Sequence, residues 1–170
     1  MATSFVKTEL GRWLLEGGSE ASSRELKRAM EICIDNANRS IFNAANANVA
    51  YSGMGTTLVM GVFLGPKVMV GHVGDSRCYR LRGNTLQQLT RDHSLLQEQI
   101  DAGLISQNRP SSPHHENLVT RAAGVEDTVL LEVNEFRVED NDIFLFLLGR
   151  PERHGVRRSA SSDTSARGAA

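Results

Sequence analysis

Apolar residues along the chain switch from a helical to a strand period near position 50. Between residues 3 and 15, Phe5, Val6, Leu10, Trp13 and Leu14 fall on one face of a helix, which Gly17-Gly18 then ends. Ser22-x-x-Glu25 has the form of a capping box, and Leu26, Met30, Cys33, Ile34, Ala37, Ile41 and Phe42 follow at three- and four-residue steps. This second, longer helix fades in an Asn/Ala-rich stretch before Tyr51. Residues 56–64 and 67–73 are β-rich runs around Gly65-Pro66 and predict a hairpin. Leu58, Met60 and Val62 alternate with Val59 and Phe63, so both faces are apolar and the strands belong between two layers. Residues 78–81 and 85–89 flank Arg82-Gly83-Asn84 as a second hairpin. A short helix is predicted over 94–103, turning Leu95, Leu96 and Ile100 inward, then an irregular loop over 105–116. Residues 118–122, 129–138 and 143–148 predict three further strands. Helices followed by strands with little helix between them make an α+β fold with antiparallel sheets and helices packed outside. There is no internal repeat.

At 170 residues the chain can bury one real core. Charged residues make up 23% and the net charge is -1, which gives no footprint for nucleic acid or an anionic membrane. No apolar run approaches the roughly 18 residues of a membrane span. The first residues have no basic start followed by an apolar stretch, so no signal peptide is expected. Cys33 and Cys78 make neither a disulfide framework nor a zinc site and read as buried thiols of a reducing cytoplasm. Asn38-Arg39-Ser40 matches a glycosylation sequon but lies within a predicted helix. Gly53 and Gly55 match neither a P-loop nor a dinucleotide fingerprint and read as a tight entry into a buried strand. Neither Gly-x-Ser-x-Gly nor His-Glu-x-x-His is present.

Several short strings then recur in a telling order. They are Gly53-Met54-Gly55-Thr56-Thr57, His72-Val73-Gly74-Asp75-Ser76-Arg77, Tyr79-Arg80-Leu81 and Leu89-Thr90-Arg91-Asp92-His93-Ser94. Asp101-Ala102-Gly103-Leu104-Ile105, Asn117-Leu118-Val119-Thr120-Arg121-Ala122 and Asp142-Ile143-Phe144-Leu145 complete the series. Each alone is weak; their order and spacing make the chain resemble the PPM (protein phosphatase 2C-like) serine/threonine phosphatases, in their compact bacterial form. The resemblance implies a sandwich of two antiparallel sheets flanked by helices. It also implies a centre of two Mg2+ or Mn2+ ions, whose bridging water attacks phosphoserine or phosphothreonine. A phosphoprotein substrate or a cognate serine/threonine kinase would be the partner, in the cytoplasm, with no nucleic acid and no membrane.

The family's metal-binding segments are not found in this chain. An N-terminal Arg with a following Glu-Asp, an Asp-Gly-Met-Gly-Gly motif before the first helix, Ser-Asp-Gly-Leu after the strand at 143–146, and an Asp-Asn pair near the C-terminus are all missing. Of the family's metal-binding acids Asp75 remains, at the position of a peripheral third metal. One carboxylate cannot hold Mg2+ usefully, because the ion gives up its waters reluctantly. The expectation is therefore a phosphatase domain truncated at both ends, inactive and without a stably bound metal. The alternative is a non-catalytic module binding a phosphoprotein or kinase. By resemblance His93 and His115 are candidates for the substrate flap. From the residues alone, Asp92-His93-Ser94 reads as a helix cap, His114 and His115 as solvated loop residues, and Asp75 as a turn cap or a partner of Arg77.

Where the family reads Cys-Ser-Asp-Gly-Leu-Ser-Asp-Met, this chain reads Leu147-Leu148-Gly149-Arg150-Pro151-Glu152-Arg153-His154-Gly155. One permitted choice of codons, CTG CTC GGA CGG CCT GAG CGA CAT GG, encodes this stretch and gives the family motif one base later. A frameshift near Leu147 is the expectation, with residues 1–147 an incomplete phosphatase domain and 148–170 a disordered, out-of-frame tail. The Arg/Ala/Gly/Ser-rich composition of the tail fits a GC-rich gene read in the wrong frame; a true basic tail is the alternative.

Overall fold

The computed structural model describes residues 2–17, 20–105 and 118–149. The chain runs α1 (Ala2–Leu15), α2 (Ser23–Ala47), β1 (Leu58–Leu64), β2 (Lys67–Val73), β3 (Arg77–Arg82), β4 (Thr85–Gln88), α3 (Leu95–Asp101), β5 (Glu132–Arg137) and β6 (Ile143–Leu147). The strands form two antiparallel sheets, ordered β1-β2-β5 and β4-β3-β6. This is the α+β architecture expected from the pattern.

The capping box starts α2: Ser22 accepts from the Glu25 backbone N–H, and the Glu25 carboxylate accepts from the Ser22 N–H at 2.8 Å. From there Leu26, Met30, Cys33, Ile34 and Ala37 form one buried stripe. That stripe meets Val6 and Leu10 of α1, Leu58 and Val62 of β1, and Met69 and Val73 of β2 in a single core. Gly71 allows this contact, since a Cβ there would lie 2.8 Å from Met30 Cε. The opposite face of β2 supplies Val68 and Val70 to a second core between the sheets, with Cys78 and Leu89. Gly61 brings β1 against β6 across that gap; a Cβ there would lie 2.6 Å from the Phe146 ring. Both cysteines are buried and free, as their surroundings predicted.

Both hairpins form. Each turn needs only two residues, because Gly65 and Gly83 take up φ of 55° at the first turn position. Arg82 therefore lies in β3 rather than in the turn. Three expectations are corrected. Residues 118–122 are not a strand: Val119 bridges Ser94 while Ala123 bridges Thr56. Pairing one residue at a time with two different segments builds no ladder. The strand predicted at 129–138 shortens to β5. Helix α3 buries no residue completely, although Leu95, Leu96 and Ile100 are half-buried. Most of the predicted loop over 105–116 lies outside the described residues.

The layers are unequal. Helices α1 and α2 cover one sheet, whereas Ile143, Leu145 and Leu147 on the outward face of β6 stay 52%, 43% and 54% exposed. Strand β1 is an edge, and Phe63 on it is 53% exposed despite an edge-to-face contact with Phe144. No helix among the described residues is long and apolar enough to cross a membrane.

Candidate functional site

The chain crosses from one sheet to the other between β2 and β3, through Gly74-Asp75-Ser76. Gly74 has φ 91°, and a Cβ on it would strike the Thr57 side chain and lie 3.2 Å from Arg121 O. Only glycine fits that crossing. Ser76 is fully buried, its Oγ 2.8 Å from Thr57 Oγ1, and it accepts the Gly149 N–H at 3.2 Å. Asp75 between them is half-buried, and its carboxylate lies against the backbone of Gly149. It does not pair with Arg77, which instead donates to both oxygens of Asp92 at 2.9 and 3.0 Å. Asp92 thus belongs to this ion pair, and Ser94 alone caps α3 by accepting from Gln97 N at 3.2 Å.

His93 lies inside the molecule, its side chain 10% exposed. Its ring stacks on the fully buried His72, centroids 4.6 Å apart and planes 15° from parallel. The Gly74 N–H donates to His93 Nδ1 at 3.0 Å, so the proton of the neutral ring sits on Nε2. Nε2 faces Glu132 Oε2 at 3.1 Å and donates to it. Arg121 Nη1 lies 3.2 Å from the same nitrogen but meets its proton, not a lone pair; Arg121 donates to Leu130 O at 3.3 Å. Burial pushes the His93 pKa below its ordinary value; Glu132 opposes that shift and the Arg121 charge adds to it. Burial also pushes the Glu132 carboxyl up, but hydrogen bonds from His93 and Asn134 outweigh it, and Glu132 lies below the usual carboxylate range.

His72, His93 and Glu132 are the described residues that come closest to a metal-binding group, with ligand atoms within 4.8 Å of one another. His72 has a suitable tautomer: Nε2 donates to Arg91 O at 2.7 Å, leaving Nδ1 as a buried lone pair without a partner. The other two conditions fail. A metal must lie in the plane of each ligating ring, and two stacked rings have planes that do not meet nearby. His93 also has no free lone pair while Gly74 occupies Nδ1. Nor does the set suit Mg2+ or Mn2+, which require several oxygen ligands. The described residues therefore do not fit a binuclear Mg2+ or Mn2+ centre, Asp75 included. His115 lies outside the described residues.

Sequence reading passed over His72, Glu132 and Arg121 as site residues. They come from β2, β5 and the 118–123 segment, and only the β2–β5 register, which sets His72 opposite Glu132, brings two of them together. Asn38 was missed too. It is wholly buried, accepts the Gly124 N–H at 2.6 Å and donates to Glu126 O and Asp127 O, which ties the loop beyond Arg121 to α2.

A family model for protein phosphatase 2C matches residues 1–99. The serine/threonine phosphatase stp of Listeria welshimeri is 38% identical over 117 residues, which are 69% of this chain and 46% of that protein. The structure of the S. agalactiae serine/threonine phosphatase superposes with a TM-score of 0.74 at 29% identity, covering 84% of this chain and 58% of that one. The catalytic domain of the serine/threonine protein phosphatase PstP, solved in complex with 2 manganese ions, superposes with a TM-score of 0.61 at 24% identity, covering 84% and 59%. The chain spans about half the length of the curated relatives it matches. The family model's span, the shared sandwich and the ordered motifs around Gly74-Asp75 together place this chain in the protein phosphatase 2C family.

Proposed function

We propose that this chain is the central scaffold of a metal-dependent protein phosphatase for phosphoserine and phosphothreonine, and that it does not hydrolyse phosphoesters by itself. The phosphatase relatives support the first half; phosphoprotein substrates and a cytoplasmic setting are part of the proposal. The observation that carries the second half is the donor set. Hydrolysis of this type needs paired cations held by several carboxylates; Asp75 by resemblance holds the family's peripheral metal position, and among the described residues no second acid joins it in a metal-binding group. Without such a centre nothing described here makes hydroxide available at neutral pH or neutralises charge on a phosphoryl group. We also propose a frameshift near Leu147 that leaves the residues after Phe146 out of frame; those from Arg150 lie outside the described residues.

Phosphate release from a phosphothreonine peptide, with and without Mn2+, tests the functional reading. The expected rate with this chain is the protein-free background at every Mn2+ concentration. A Mn2+-dependent rate that follows protein concentration and disappears on chelation would refute it.

A further inference from the structure

Gly74 is engaged by one residue at both of its backbone polar groups. Its N–H donates to His93 Nδ1, and its carbonyl accepts the His93 backbone N–H, both at 3.0 Å. Fixing donor and acceptor together fixes the peptide planes on either side of Gly74, and so the direction in which the chain enters Asp75. Glycine at φ 91° has no side chain to restrain it, so the restraint has to come from outside.

His93 is itself held on every side. Its backbone carbonyl accepts the Thr120 N–H at 2.9 Å, its Nε2–H meets Glu132 of β5, and its ring lies on His72 of β2. Glu132 is held in turn by Asn134 Nδ2 at 3.1 Å. The contact with Glu132 has a chemical consequence. An acceptor at Nε2 draws the ring proton there and leaves Nδ1 bare for Gly74. Arg121, close to the same nitrogen, disfavours a second proton on the ring. A helix cap would need none of this, and Ser94 already supplies the cap.

The geometry points to His93 as a positioning residue: through Gly74 it sets the backbone from which Asp75 projects, with Glu132 selecting the tautomer that does so. This rests on the reading that the Gly74-Asp75 crossing belongs to the phosphatase site, but its test does not depend on activity. Asparagine carries an acceptor at the Nδ1 position and glutamine an amide N–H donor near Nε2, so the two substitutions separate the roles of the ring nitrogens.

The experiment is NMR on the uniformly 15N-labelled full chain. The expected result is a through-hydrogen-bond coupling between the Gly74 amide nitrogen and His93 Nδ1. In His93→Asn the Gly74 amide should keep its slow exchange. In His93→Gln it should exchange about tenfold faster, the loss of one hydrogen bond, and the Asp75 amide should shift. Amides within β2 should be unaffected in both, which separates this effect from general loosening. Absence of the coupling in the unsubstituted chain, or equal Gly74 exchange in the two variants, would overturn the inference. The coupling alone decides the matter if a variant does not fold. Failure of the phosphatase reading would appear in peptide hydrolysis and leave the coupling intact.

Discussion

His93 is neutral in the fold because burial and the Arg121 charge both oppose a second proton on its ring. Once unfolded it titrates at its ordinary value of about 6.5. Its folded pKa is depressed, so the stability tied to its neutral form is complete above about pH 6.5 and falls as the pH drops through that value. The loss levels off below the folded pKa. Glu132 acts lower on the scale: its depressed pKa contributes stability above the ordinary carboxylate value that is lost on further acidification. Urea midpoints measured from about pH 8 to pH 5 should therefore fall on the acid side of neutrality. The slope should flatten in His93→Asn, which has no ring to protonate. A wild-type midpoint that is flat through that range, or an unchanged slope in the variant, contradicts the assignment.

At the scale of elements, β2, which carries His72, is paired on both sides and buried, while the edge strands of its sheet are not. Every residue of β2 but Lys67 is buried, whereas β1 has a free edge among the described residues and no charged side chain. An uncharged edge strand is a template for pairing with another chain, and the apolar outward face of β6 adds a second adhesive surface. Ile143, 52% exposed, can take a charge without disturbing either core. Ile143→Lys should reduce self-association in sedimentation or light scattering and leave the melting temperature within a few degrees, as surface substitutions do. Unchanged association, or cooperative unfolding lost in the variant, would show that face to be packed. The elements most legible in the sequence were those with a strong period: the α2 stripe behind its capping box and the two glycine hairpins. Residues 118–122 have strand-like composition, but their partners lie on two different segments, which no local pattern records. In α3 the apolar spacing was read correctly, yet its Leu95, Leu96 and Ile100 are only half-covered, because burial depends on what packs above a helix.

For the molecule as a whole, the family was legible because its motifs follow one another in fixed order along the chain, and Gly74 must be glycine for the β2–β3 crossing to close. The interior cluster was not legible. His72, His93, Arg121 and Glu132 are scattered along the chain and meet through sheet register, the hydrogen bonds of His93 with Gly74 and Thr120, and the tie from Asn38. What emerges is a protein phosphatase 2C scaffold with its crossing preserved and its described residues unfit for the metal pair. The proposed cause lies at the end of β6, where a change of reading frame near Leu147 would have replaced the family's acidic motif. Sequencing the DNA across codon 147 is the measurement to make. The prediction is that the next frame reads Cys-Ser-Asp-Gly-Leu immediately after Phe146. If that frame encodes no such string, the frameshift is refuted, and the chain is a metal-free relative whose Leu147, Leu148 and Gly149 are native.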